Sequence, residues 1–221
     1  MNPIPTAMSI AGSDTSCGAG IQADLRMFSA RGVYGATVIT ALTAQNPREV
    51  TGVVGLQADF VKLQIDTVLS EISIAALKTG MLWSAEIIEV VAATLAERPL
   101  VPSVVDPVML ATSGAMLITD QALESYRTKL LPRCTVTTPN LDEASALLDG
   151  RPISPETLDD TAKRLHERFG CAVLLKGGHL AGDPIDVLFD GHTLRRWEHR
   201  RLEGINTHGS GCMLSAALAA A

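Results

Sequence analysis

Residues 8–44 read MSIAGSDTSCGAGIQADLRMFSARGVYGATVITALTA. Met8 to Ala11 is a short apolar run that stops at Gly12. A small, polar, glycine-rich loop follows, from Gly12 to Gly20. Gly20 to Ala30 then carries Ile21, Leu25 and Phe28 at the spacing of one helix face. Val33 to Ala44 is rich in β-branched residues, which suit a strand. Two strands joined through a helix predict a parallel pair, the repeating element of an α/β fold.

The rest of the chain continues that alternation. Between Asp59 and Ile72, the residues Val61, Ile65, Val68, Leu69 and Ile72 recur at helical spacing. Ala75 to Thr79 reads as a buried strand ended by Gly80. Ser84 is the expected N-cap of a helix through Leu95, with Glu86 near the positive end of its dipole. Val101 to Val108 and Thr135 to Thr138 read as strands. The helix between them starts at Thr119 or Asp120 and runs toward Leu130. Asn140 to Leu148 reads as a short helix, and Ser154-Pro155 opens another. Cys171 to Lys176 is a strand ending at Gly177-Gly178. Ile185 to Phe189 and Leu194 to His199 suit a hairpin around Asp190-Gly191. A last helix begins near Gly211. The expectation is one domain over 1–221, with a mostly parallel central sheet and helices on both faces.

Composition narrows the function classes. With 221 residues, 47% of them hydrophobic, the chain has material for one well-cored domain. Its net charge of -6 argues against nucleic-acid or anionic-membrane partners, which require a clustered positive patch. Arg195-Arg196 and Arg200-Arg201 are interrupted by Trp197, Glu198 and His199. The N-terminus lacks the basic and apolar regions of a targeting signal. Cys17, Cys134, Cys171 and Cys212 are far apart and form no C-x-x-C pair, so reduced thiols in the cytoplasm are expected.

In open α/β sheets, ligands bind beyond the C-terminal ends of the strands. The Gly12–Gly20 loop is built for close backbone approach to an anion or a ring, or is simply a tight turn. It matches neither the Walker A pattern nor G-x-G-x-x-G. Asp24 follows on the next helix, beside its apolar face, where a solvated carboxylate is the plain alternative. Gln45 ends a strand, and its amide can donate and accept toward an amino-substituted heteroaromatic ring, or it satisfies its own loop. Asp106 ends another strand, with Pro107 and Val108 following. Asn140 and Glu143 are spaced i, i+3 on one helix face, where a carboxylate suits the helix dipole or a water-held Mg²⁺. Lys176 precedes two glycines that allow a phosphate to come close.

The densest signal is Asn206-Thr207-His208-Gly209-Ser210-Gly211-Cys212, which opens a helix of small residues. First-turn N–H groups lack intrahelical partners, so this end suits a phosphoryl group in transfer. Cys212 at the same helix start is expected to favour thiolate. Two other readings stay open there: Cys212 as a hydrolase nucleophile with His208 as base, or a plain helix cap.

These motifs, in this order, resemble the hydroxymethylpyrimidine/phosphomethylpyrimidine kinases of the ribokinase-like superfamily. The resemblance rests on Ile10–Asp14, Gly18–Leu25, Val38–Asn46, Lys78–Leu82, Asp106–Leu110, Thr138–Leu141, Lys176–His179 and Asn206–Cys212. It implies ATP- and Mg²⁺-dependent phosphorylation of 4-amino-5-hydroxymethyl-2-methylpyrimidine and then of its monophosphate, by a cytoplasmic homodimer. It implies that Gly12, Asp24 and Gln45 hold the pyrimidine, with Met81 and Val108 lining its pocket. It implies that Asp106, Asn140, Lys176 and Thr207 face the nucleotide phosphates, that Glu143 and Asp106 organise Mg²⁺, and that Gly209, Ser210, Gly211 and Cys212 form the anion hole. Many superfamily relatives carry an aspartate base where this chain has Cys212.

The chain departs from the family pattern at three places. Cys17 replaces a usual glycine, implying a stiffer first loop. Thr112 replaces a common lysine in the flap, implying weaker phosphate contact during closure. The sequence stops at Ala221 inside its expected last helix, where relatives continue, so weak ATP binding is expected. A pyridoxal kinase is the nearest alternative, although Leu110 to Met116 lacks the cysteine that some such relatives use to trap an aldehyde. A non-catalytic pyrimidine-binding relative is the alternative from another class.

Overall fold

The computed structural model describes residues 4–109, 119–180, 182–204 and 207–221. The flap positions Leu110, Thr112 and Met116 and the loop residue Asn206 lie outside the described residues. Strand β1 (Thr6–Asp14) leads through α1 (Gly20–Ala30) into β2 (Tyr34–Gln45). A hairpin adds β3 (Val50–Gly55), and α2 (Ala58–Glu71), β4 (Ala76–Thr79), α3 (Ala85–Glu97) and β5 (Ser103–Val105) follow. Helix α4 (Asp120–Ser125) widens into a π turn over Tyr126–Leu130 and closes at Leu131–Arg133, where Pro132 cannot continue it. Then come β6 (Val136–Thr137), α5 (Leu141–Leu147), α6 (Leu158–Phe169), the strands β7 (Ala172–Leu175), β8 (Ile185–Phe189) and β9 (Leu194–Glu198), and α7 (Ser210–Ala219).

All nine of these strands join one sheet in the order β3-β2-β1-β4-β5-β6-β7-β8-β9. The pairs from β2 to β7 are parallel, and β3, β8 and β9 attach antiparallel at the two ends. The β1–β2 register slips between Ala11 and Ser13, so a bulge falls at Gly12. Successive residues of a strand face opposite sides of a sheet. Accordingly Met8 packs with Val38, Ile65, Leu77 and Ile88 in the larger core, while Ala7 packs with Phe28, Val33 and Ala216 in a smaller one. Helices α1 and α7 cover the smaller side, and α2 and α3 cover the larger, which is the expected two-sided α/β layering.

The strand expected over Val101 to Val108 shrinks to Ser103–Val105. Pro102 and Pro107 flank it, and neither has an N–H to give to a ladder. The edge strand β3 was not foreseen: its exposed Val-Thr-Gly-Val-Val-Gly lacks a clean two-residue alternation. The capping expectations hold at Ser84, which accepts from Ile87 N at 3.3 Å, and at Thr119, which accepts from Ala122 N at 3.2 Å.

Candidate active site

The loops beyond the C-terminal ends of β1, β2, β4, β5, β6 and β7 meet the N-terminus of α7 around one cavity of about 680 Å³. Gly12 and Gln45, from β1 and β2, and Met81 and Val108, after β4 and β5, line it. A Cβ at position 12 would come within 2.6 Å of the Met81 methyl, which would have to swing aside for any larger residue.

Asp24 is placed differently from the expected pyrimidine contact. It is fully buried beneath the cavity and does not line it. Both carboxylate oxygens lie 2.8 Å from Lys78 Nζ, and Ser9 Oγ donates to Oδ2 at 2.5 Å. Burial drives the Asp24 carboxyl upward against the opposing pull of Lys78. The lysine is also raised, because Asp24 and the neighbouring acids outweigh its own burial. Lys78 does line the cavity, and it is the functional candidate that sequence reasoning passed over. Its signal was a lone lysine in the apolar run Ala75–Gly80, since a buried charge requires a partner.

The first loop is organised by Asp14. Its Oδ1 accepts from Ser16 N and Ser16 Oγ, both at 2.8 Å, and its Oδ2 from Ala19 N at 2.7 Å. His208 Nε2 lies 3.0 Å from Oδ2. Burial opposes ionisation of Asp14, but His208 and these loop donors hold its carboxyl below the usual range. Cys17, in this loop, adopts φ 61°, the left-handed conformation that favours the family's usual glycine.

Asp106 organises the opposite end. Its Oδ1 accepts from Lys176 Nζ at 2.8 Å and Thr138 Oγ1 at 3.0 Å, and its Oδ2 from Ser215 Oγ at 3.2 Å. One carboxylate thereby joins the ends of β5, β6 and β7 to α7. Burial opposes its charge, yet Lys176 and Lys78 keep it below the ordinary range. Both oxygens are already engaged, which leaves Asp106 better placed to hold Lys176 than to ligate a cation directly. Lys176 Nζ lies 3.1 Å from where a Cβ on Gly211 would stand, so this ammonium faces the start of α7.

Asn140 and Glu143 form a reciprocal capping box. Asn140 Oδ1 accepts from Glu143 N at 2.9 Å, and Glu143 Oε2 accepts from Asn140 N at 2.8 Å. Burial pushes the Glu143 carboxyl up to about 7, with Lys176 opposing and Asp106 reinforcing the rise. Among the described residues, no group of three or more His, Cys, Asp or Glu side chains is placed to hold a metal. Magnesium needs no such cage when phosphates and waters complete its shell. A buried carboxylate whose charge lacks full compensation, lining the cavity beside Asn140, fits that arrangement.

The glycine-rich turn opens α7 as expected, with two differences from the sequence reading. Gly209 caps α7 at φ 77° and lies against the Gly18 carbonyl. Ser210 N donates to Thr207 O at 3.0 Å, so Gly211 and Cys212 are the first-turn N–H groups left for an anion. Cys212 does not favour thiolate: burial pushes its thiol up, Asp106 and Asp24 add to the rise, and Lys78 only partly offsets them. Desolvation and two nearby acids thus act against the thiolate. His208 Nε2 is directed at Asp14 and Gln45, which gives no support to a Cys212–His208 nucleophile pair.

A parallel sheet, a cavity beyond its strand ends and a glycine-capped helix aimed into that cavity define the ribokinase-like class. The family model described as phosphomethylpyrimidine kinase matches residues 14–221, and the chain belongs to that family. It is 49% identical to the hydroxymethylpyrimidine/phosphomethylpyrimidine kinase of Rhizobium meliloti, covering 97% of this chain and 81% of the relative. It is 45% identical to the thiamine biosynthesis bifunctional protein ThiED of Geobacter sulfurreducens, where 98% of this chain spans 44% of the relative. The chain therefore spans less than half of that bifunctional protein and about four fifths of the Rhizobium enzyme. Among solved structures it resembles an ADP complex of Bacillus subtilis pyridoxal kinase (TM-score 0.88, 36% identity, 99% of this chain and 83% of that one). It also resembles phosphomethylpyrimidine kinase from Clostridium difficile 630 (TM-score 0.85, 37% identity, 99% and 90%).

Proposed function

We propose that this protein phosphorylates 4-amino-5-hydroxymethyl-2-methylpyrimidine and then its monophosphate, with ATP as donor, in thiamine biosynthesis. The observation that carries this reading is the single cavity holding Gly12, Gln45, Met81 and Val108 at one end and Lys176, Asn140 and Gly211 at the other. Met81 and Val108 beside one amide suit a small heteroaromatic ring, and a lysine beside a helix N-terminus suits phosphates. The hydroxymethyl group and the γ-phosphoryl group then meet at Gly211 and Cys212. Phosphoryl transfer is mainly positioning and charge stabilisation, which Lys176 and the two backbone N–H groups supply. Cys212 starts as a thiol, so its proton assist is secondary to that electrostatic work. Thr207 stays in this reading as a phosphate-side residue, since it lines the cavity. Asp24 acts through Lys78.

The ADP complex of the Bacillus relative supports ATP as the donor. Glu143 and Asn140 would hold Mg²⁺ through water, where it supplies charge neutralisation on the phosphates. Exposed Leu42 and Val54, paired in register on β2 and β3, offer an apolar edge for a homodimer. Four free thiols suit a cytoplasmic enzyme. No helix among the described residues is long and apolar enough to cross a membrane.

The test is an ATP-dependent assay with each pyrimidine substrate, and with pyridoxal as comparison, read for mono- and diphosphate products. Pyrimidine diphosphate as the main product supports the reading. Faster turnover of pyridoxal makes the protein a pyridoxal kinase, and binding without product at saturating ATP makes it a pyrimidine-binding relative.

A further inference from the structure

Gln45, Asp14 and His208 meet at one point between the first loop and the anion loop. Gln45 Nε2 lies 3.2 Å from His208 Nε2, which lies 3.0 Å from Asp14 Oδ2. His208 and Asp14 are both almost fully buried, at 5% and 3% side-chain exposure. The His208 ring lies against Gly18, where any Cβ would overlap its Cδ2. Thr43 Oγ1 lies 3.2 Å from Gln45 Oε1 and 3.0 Å from the Ser13 carbonyl.

These contacts allow few hydrogen placements. A carboxylate only accepts, so Asp14 requires a proton on His208 Nε2. That N–H would then face the amide N–H₂ of Gln45, donor against donor. On the other side, the single Thr43 hydroxyl proton would have to serve both the Ser13 carbonyl and Gln45 Oε1. A half-turn of the Gln45 amide removes the donor–donor clash and frees the Thr43 proton for Ser13, leaving one shared N–H, that of His208 Nε2, between Asp14 Oδ2 and the amide oxygen. The amide oxygen then accepts from His208 Nε2–H, the amide nitrogen donates to Thr43 Oγ1, and Thr43 donates to Ser13. Amide orientation is assigned by this kind of network argument.

We propose that His208 is a specificity-positioning residue, which through its Nε2–H bridge to Asp14 fixes the Gln45 amide so that an N–H is offered to the cavity. Gln45 then selects a ligand by a hydrogen-bond acceptor, such as a heteroaromatic ring nitrogen. This assignment of the ligand atom rests on the kinase reading above. The hydrogen-bond assignment itself does not.

Two measurements decide it. In ¹⁵N-labelled protein near neutral pH, long-range ¹H–¹⁵N spectra of the histidines should show a proton on His208 Nε2. A bare Nε2 overturns the proposal, even if His208 variants fail to fold. In steady-state kinetics, His208→Ala should raise the pyrimidine KM by about tenfold with the ATP KM within about twofold, the split expected when one ligand loses an oriented hydrogen bond. His208→Gln, which returns an N–H near the Nε2 position, should recover most of that loss. Gln45→Ala on top of His208→Ala should add less than about twofold, because both act through one bond. Equal rises in both KM values, no recovery by glutamine, or multiplicative effects overturn it. Wild-type protein that phosphorylates no pyrimidine would refute the kinase reading, and the Nε2 spectrum would still decide the bridge.

Discussion

Glu143 and Cys212 show how burial sets charge at single residues here. Glu143 has its carboxyl pushed up to about 7, against an ordinary 4.5. The folded protein therefore keeps a proton that the unfolded chain has released, and stability falls as pH rises across that window. Glu143→Gln keeps the capping geometry, since glutamine also serves at the third helical position. It should remove a loss of about 2 kcal/mol between mildly acidic and mildly alkaline pH, read from urea midpoints at both. The same variant should turn over more slowly, because the carboxylate is gone from the phosphate end. Cys212 makes the complementary case. Its raised thiol makes it a poor resting base. Cys212→Ala should lower kcat by about 10–10², less than the loss of a dedicated general base, with little change in the pyrimidine KM. Unchanged turnover would remove Cys212 from the proton path altogether. Residue identity was legible at both positions, but neither charge state was, because desolvation depends on what packs around a side chain.

At the scale of elements, the chain's punctuation was more legible than its edges. Ser84, Thr119, Asn140 and Gly209 all begin helices as their side chains or flexibility suggest. β3 was invisible because an exposed edge strand carries little periodicity, and β5 was overestimated because apolar residues continue past the prolines that end it. The site followed the same division. Gly12, Gln45, Met81, Val108, Lys176 and Gly211 fall around the cavity, since each lies at or near the C-terminal end of a strand or in the first turn of a helix. Asp24 was misplaced because its partner Lys78 lies 54 residues away, a separation that no local pattern reports. Gly209 ties α7 to the first loop and gives the clearest test at this scale. Gly209→Ala should cost about 1–2 kcal/mol for the left-handed conformation alone. Its Cβ would also collide with the Gly18 carbonyl, so the two loops must part. Displaced anion-hole donors cost about 10²–10³ in turnover elsewhere. A comparable fall in kcat, with secondary structure retained by circular dichroism, is the expected result.

Across the whole molecule, both ends of the cavity combine a lowered aspartate, a raised lysine and a raised acid, and this fixes the shape of the stability–pH curve. Asp106 holds β5, β6, β7 and α7 together through Thr138, Lys176 and Ser215. Its carboxyl is kept below 3.8, so its contribution is present above that value and is lost as pH falls through the lowered folded value. Asp14 joins the first loop to His208 and behaves in the same way. Both set an acid limit. Lys176 and Lys78 are raised, so their contributions hold below the ordinary 10.5 and fade only in strong alkali. Between these limits, Glu143 and Asp24 are both raised, so stability is lost from their ordinary values upward, where the unfolded chain has released protons that the fold still holds. The free protein should therefore be most stable at about pH 4, near the ordinary 3.8 of the lowered aspartates and below the 4.5 at which the unfolded chain begins to release the proton that folded Glu143 keeps up to about 7. Urea midpoints measured across pH should rise up to about pH 4, peak there, and decline until about pH 7, where folded Glu143 ionises. ATP with Mg²⁺ should flatten this decline, since a bound cation favours the charged Glu143. A decline that persists unchanged at saturating ATP and Mg²⁺ would place the cation away from Glu143.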